Sequence, residues 1–193
     1  MLRSLVFFSL FLCSFSICGQ EFERALADSA LALTQDQVTY DPSYFKLSYP
    51  MGDVPADKGV CTDVVIRAYR KMGIDLQQLV HEDMRNNFHL YPANWGLSRP
   101  DYNIDHRRVP NLMVFFSRFG KELTISASAE DYLPGDIVCW NLGGGIKHIG
   151  VVSGVKGSSG AFQIVHNIGS GQVLEDMLFE FTIIGHYRMT DDC

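Results

Sequence analysis

Cys61, His148 and His166 are the residues whose types and spacing suggest chemistry. Cys61 follows the glycine-bearing stretch DKGV and opens CTDVVIRAYRKM, in which Val64, Val65, Ala68 and Met72 recur at helical spacing before Gly73 ends the run. A thiol at a helix start faces unsatisfied N–H groups and the positive end of the helix dipole. Both favour the thiolate and are expected to lower its pKa below the roughly 8.5 of free cysteine. An isolated cysteine is more often a buried apolar residue, but the two histidines add a pattern. His148 begins one β-rich run, His166 ends the next, and the turn GVKGSSG joins them. In an antiparallel pair the start of one strand lies beside the end of its neighbour, so both imidazoles come to one edge of the sheet. One could take the thiol proton while the other holds its far ring nitrogen and fixes the tautomer. One Cys and two His are also zinc ligands, and a catalytic zinc needs only three protein ligands. Against that reading, the histidines lack helical i, i+4 spacing and no carboxylate stands at a spacing that adds a ligand.

Positioning these groups requires helices first and strands afterwards. Phe22 to Gln35 carries Phe22, Leu26, Ala30 and Leu33 on one helical stripe, and Leu76 to Asn86 and Pro110 to Phe119 read as further helices. Tyr40 to Gly59, with three prolines, is turn-rich, and Phe88 to Arg108 is a long irregular loop. Ile137 to Asn141, His148 to Ser153, Phe162 to His166 and Ile183 to Met189 are short, β-branched and aromatic runs separated by glycine-rich turns. This order predicts an α+β domain with an antiparallel sheet.

Composition bounds the rest. The chain has 193 residues, 47% hydrophobic and 20% charged, with 16 Lys+Arg against 22 Asp+Glu and a net charge of -6. Disorder, collagen and coiled coil are excluded, and without a basic block nucleic acid is not an expected partner. A chain this long buries roughly 70% of its unfolded surface and needs no disulfide or structural metal to hold a core. The first eighteen residues, with Arg3 followed by the apolar run Leu5 to Ile17 and small residues near Cys18, read as a secretory signal. The apolar run is too short to span a membrane. Lipid attachment at Cys18 fits poorly, because Ile17 occupies a position that such signals reserve for a small residue. Cleavage would leave one domain, residues 19 to 193, exported to a periplasm or the medium, with 15 basic against 22 acidic residues and a net charge of -7. Cys61, Cys139 and Cys193 would remain, and the sequence does not establish a Cys139–Cys193 disulfide.

The order of motifs resembles the NlpC-type cell-wall peptidases of the papain-like cysteine peptidase clan. The matching segments are YPMGDVPADKGVC at 49 to 61, YLPGDIVCW at 132 to 140, HIGVVSG at 148 to 154 and QIVHN at 163 to 167. More narrowly, DKGVCTDVVIRAYR, NIDHRRVPNL, PGDIVCWNL, HIGVVS and IVHNIG resemble an exported bacterial family named domain of unknown function twelve eighty-seven. The NlpC resemblance implies a papain-like fold with the catalytic Cys at a helix N-terminus, Cys61 as nucleophile, His148 as general base and His166 as the orienting third residue. It also implies that Tyr49 lies at the oxyanion site. His186, on another strand, is the alternative third residue.

The chain departs from that pattern around the nucleophile, where those enzymes usually read DCSG and this sequence reads VCTD. Val60 replaces an aspartate associated with holding the free amine of a stem peptide. Asp63 could replace it one turn later, or could simply be an acid at a helix start. Arg107 and Arg108 could form a cationic rim for an acidic peptide or could pair internally. Trp95 is a candidate cleft residue, whereas Trp140, inside a strand, is expected in the core. The resemblance implies a cofactor-independent hydrolase of an amide or peptide bond in peptidoglycan. A non-catalytic fold that binds cell-wall peptide remains the alternative beside zinc binding.

Overall fold

The computed structural model describes residues 9–189. The chain forms α1 (Ser9–Ala32), β1 (Thr39–Tyr40), β2 (Lys58–Gly59), α2 (Cys61–Lys71), α3 (Leu76–Asn87) and α4 (Val109–Phe119). There follow β3 (Lys121–Glu122), β4 (Ile137–Asn141), β5 (Lys147–Lys156), β6 (Phe162–His166), β7 (Val173–Glu175) and β8 (Thr182–Arg188). This is the expected α+β order. The first eight residues of the signal segment lie outside the described residues, as does Cys193. Among the described residues no helix is long and apolar enough to cross a membrane.

Local chemistry explains the helix boundaries. At α2 the Asp63 carboxylate accepts the Val60 N–H at 2.7 Å, while Arg70 and Lys71 occupy the last turn, where the dipole favours cations. Gly73 then adopts a φ of 81°, which a side chain would resist. Asp75 caps α3 by accepting the Gln77 N–H at 3.0 Å. Pro110 stands in the first turn of α4, where a missing N–H costs nothing.

Six strands form one antiparallel sheet in the order β3-β8-β4-β5-β6-β7. Its helix-facing side includes Ile137, Cys139, Ile149, Val151 and Val165, packed with Leu26, Val64, Val65, Ala68 and Phe116. The other side buries Val138, Trp140, Val152 and Ile164 beneath Tyr132, Met177 and Leu178. Because both faces are covered, β4 reads as the unbroken apolar run IVCW rather than as an alternating strand. Trp140 is fully buried, as expected, and its indole N–H donates to the Leu178 carbonyl at 2.9 Å. Two-residue β1 and β2 pair in parallel, with Thr39 opposite Lys58 and Tyr40 opposite Gly59.

Candidate active site

Cys61 is a free thiol, 7% exposed, at the first position of α2. Its approach is tied down from two sides. The β1–β2 pair holds Gly59 against Tyr40, and the buried Asn167 amide donates to the Gly59 carbonyl at 3.3 Å. Asn167 directly follows His166, so this bond links the nucleophile's loop to the end of β6. The helix packs on β5 so that the Ile149 N–H, one residue after His148, reaches the Cys61 sulfur, as do the N–H groups of Cys61 and Thr62. These donors favour a thiolate, but burial outweighs them and pushes the thiol up to about 12. The expectation of a thiol ionised by its helix start is therefore corrected: desolvation wins, and Cys61 rests as a neutral thiol.

His148 and His166 meet as the strand register implies. His148 Nε2 lies 3.0 Å from His166 Nδ1, and His166 Nε2 lies 3.0 Å from a carboxylate oxygen of Glu175 on β7. Val151 pairs with Val165, which sets Gly150 opposite His166. A Cβ on Gly150 would lie 2.6 Å from the Ile164 side chain and 3.2 Å from His166 Cβ. Glycine leaves the space in which the His166 ring leans diagonally toward His148. Burial and the neighbouring His166 push His148 down to about 3. Burial also lowers His166, against the raising influence of Glu175 and Glu180.

Both histidines therefore rest neutral. A carboxylate only accepts, so His166 carries its proton on Nε2 and presents a lone pair at Nδ1. His148 donates from Nε2 and keeps Nδ1 unprotonated. His186 belongs elsewhere: it contacts Asp136 at 2.7 Å, stacks on Tyr132 and shares that carboxylate with Arg188. That cluster locks the Leu133–Asp136 turn, whose Leu133 N–H also donates to Asp136. The ring nitrogens of His166 are both engaged, so a zinc ion shared by Cys61, His148 and His166 lacks its third ligand. Among the described residues no group of three or more His, Cys, Asp or Glu is placed to hold a metal.

A groove of about 400 Å³ opens over Cys61, with Tyr40, Asn94, Trp95, Arg108 and Lys147 in its walls. Trp95 stands in the groove, and the Arg108 guanidinium lies 3.9 Å from its ring centroid. One other expectation is corrected. Tyr49 packs against His81 and Tyr102 instead of lining the groove. Tyr40 lines the groove instead, close enough that Cys61, Asp63 and Arg107 all perturb its hydroxyl. For Asp63 and Arg107 the internal-pairing alternative describes the geometry. They form a two-pronged ion pair of 2.8 and 2.9 Å with both side chains nearly fully buried, and Thr62 donates its hydroxyl to the Arg107 carbonyl. Both arginines of the expected rim line the groove, Arg107 paired with Asp63 and Arg108 held from one side by Asp105 at 2.9 Å.

Sequence reasoning missed Tyr40, Glu175 and Asn167. Tyr40 and Glu175 lie in pairings of two and three residues, too short for an alternating pattern. Asn167 was legible only as a neighbour of His166.

Residues 27–189 match a family model described as Domain of unknown function (DUF1287). The chain is 53% identical over 164 residues to a protein of Escherichia coli (strain K12) described as Uncharacterized protein YijF, covering 85% of this chain and 80% of that one. Among solved structures it is similar to NlpC1 and NlpC2 from Trichomonas vaginalis, at 15% and 14% identity with TM-scores of 0.45 and 0.44. Those alignments cover 88% and 86% of this chain but 44% and 47% of the others, so the chain spans less than half their length.

Proposed function

Because the chain belongs to the DUF1287 family, whose description names no reaction, we propose from the site itself that it is an exported, papain-like cysteine hydrolase. Its proposed substrate is an amide or peptide bond of peptidoglycan. The single observation that carries the reading is that Cys61 opens α2 against β5, where the Ile149 N–H reaches its sulfur, and that the preceding residue, His148, meets His166. His148 spends Nε2 on His166, so the nitrogen left to accept the thiol proton is Nδ1.

The steps follow from this arrangement. As the substrate carbonyl arrives, the Cys61 S–H proton passes to His148 Nδ1 and the sulfur attacks the carbonyl carbon. The oxyanion is received by the Cys61 backbone N–H at the helix start and by the Tyr40 hydroxyl. His148 then returns the proton to the leaving amine, the C–N bond breaks, and a thioester remains. Water, deprotonated by His148, attacks the thioester and releases the acid and the thiol. With burial pushing the thiol up and both imidazoles down, proton transfer that accompanies attack is the order favoured.

Purified protein and its Cys61→Ala variant, incubated with peptidoglycan and compared by mass spectrometry of released fragments, test the proposal. Fragments from the first and none from the second are expected. Identical patterns would remove cell-wall cleavage. The burial of the thiol is the observation that favours a second reading, a peptide-binding fold that does not cut; binding of wall fragments without new termini would establish it.

A further inference from the structure

The His148–His166 contact is by itself ambiguous, because two neutral imidazoles sharing one hydrogen bond can be arranged in two ways. With the shared proton on His148 Nε2, the remaining nitrogen, Nδ1, is a base. With it on His166 Nδ1, His148 accepts at Nε2 and carries its own proton on Nδ1, where it cannot accept another. Each arrangement makes the same hydrogen bond, so the pair alone has no reason to choose the productive one.

Resting on the hydrolase reading above, we propose that Glu175 is the positioning residue that makes this choice. Its carboxylate oxygen stands 3.0 Å from His166 Nε2 and cannot donate. His166 must therefore protonate Nε2, its Nδ1 becomes an acceptor, and His148 is fixed with a proton on Nε2 and a lone pair on Nδ1. When the thiol proton arrives at Nδ1, the positive charge on His148 is separated from the Glu175 carboxylate by one ring. That carboxylate stabilises it through His166. The proton leaves again from Nδ1 to the amine, so the relay ends as it began. The β7 strand has one evident task in this arrangement: Val173 pairs with His166 and carries Glu175 to the ring's outer nitrogen.

The acidic and basic groups facing the His166 ring are His148 from β5, Glu175 from β7 and Glu180 from the segment before β8. Glu175→Gln preserves shape and removes the charge and the obligatory acceptor; Glu175→Ala removes the contact. The Glu175 side chain is 46% exposed, so both variants are expected to fold.

Long-range ¹H–¹⁵N correlation of the imidazoles, in protein labelled with ¹⁵N-histidine, reads the tautomers directly at pH 8. The unsubstituted protein is expected to show Nε2–H on both His148 and His166, and Glu175→Gln a mixture at His148. On peptidoglycan, Glu175→Gln is expected to lose tenfold or more in kcat with KM within twofold. Its acid limb should move to lower pH, because the carboxylate no longer favours the imidazolium. Nδ1–H on His148 in the unsubstituted protein, or unchanged tautomers in both variants, would overturn the role of Glu175. Correct tautomers in a protein that releases no fragments would instead remove the cell-wall cleavage reading and leave the relay standing.

Discussion

Arg107 grips both carboxylate oxygens of Asp63 from the loop preceding α4, and neither side chain reaches solvent. The pair joins the first turn of the nucleophile's helix to the wall of the groove, while Asp63 also caps that helix at Val60. Removing one member leaves a buried charge alone. Arg107→Met is expected to destabilise the protein by about 3–5 kcal/mol, read from urea unfolding. Arg107→Lys should recover only part of this, since an ammonium cannot make the two-pronged bond. A loss below about 1 kcal/mol for Arg107→Met would contradict a buried, structural pair.

The neutral thiol has a signature in alkylation. With Cys61 pushed up to about 12 by burial, its reaction with iodoacetamide should be slow at pH 6 and rise about tenfold per unit up to pH 9. Cys139, fully buried in β4, should stay unlabelled until the protein unfolds. A fast rate that stays flat down to pH 5 would reveal a preformed thiolate–imidazolium pair.

Gly150 offers a test of the relay that leaves its members untouched. Gly150→Ala places a methyl 2.6 Å from Ile164 and 3.2 Å from His166 Cβ, so the two strands or the His166 ring must shift. A stability loss of about 1–3 kcal/mol is expected from overpacking, with fragment release falling further than the change in folded fraction explains. Full activity in a folded variant would show that His166 tolerates displacement.

Tyr40, not Tyr49, stands in the groove over Cys61. Tyr40→Phe removes the hydroxyl in the groove and is expected to lower kcat about a hundredfold with little change in KM. Tyr49→Phe should leave kcat within twofold, because that ring packs on His81 and Tyr102. Equal losses would place both hydroxyls on the reaction path.

Acid stability follows from two histidines held down to about 3, His106 by burial and the positive charges of Arg107 and Arg70, His148 by burial and His166. Their folded pKa values lie below the unfolded value near 6.5, so between pH 6.5 and 3 the unfolded chain binds protons that the native one refuses. Stability therefore falls as pH drops through this window, by up to about 1.4 kcal/mol per unit for each histidine. His106→Gln should flatten the slope between pH 6.5 and 5, measured by chemical unfolding. An unchanged slope would show that His106 is protonated in the native protein.

What the sequence determined by itself was the part of the protein written in local periodicity and punctuation. The four helices from the apolar stripes, the strands Ile137–Asn141 and Phe162–His166, the helix-opening position of Cys61, and His148 and His166 at facing strand ends all follow from residue spacing and from glycine and proline. The family, too, was carried by short motifs in order.

Tertiary structure alone decided everything that depends on which segments meet and how deeply they are buried. It placed Tyr40 rather than Tyr49 in the groove, through a two-residue parallel pairing, and brought Glu175 to His166 on a three-residue strand. It paired Asp63 with Arg107, choosing between readings the sequence left open, and assigned His186 to Asp136. It also reversed the expected charge state of Cys61. A helix start acts within one turn and is visible in sequence, whereas desolvation is set by all the atoms that the fold gathers around the sulfur.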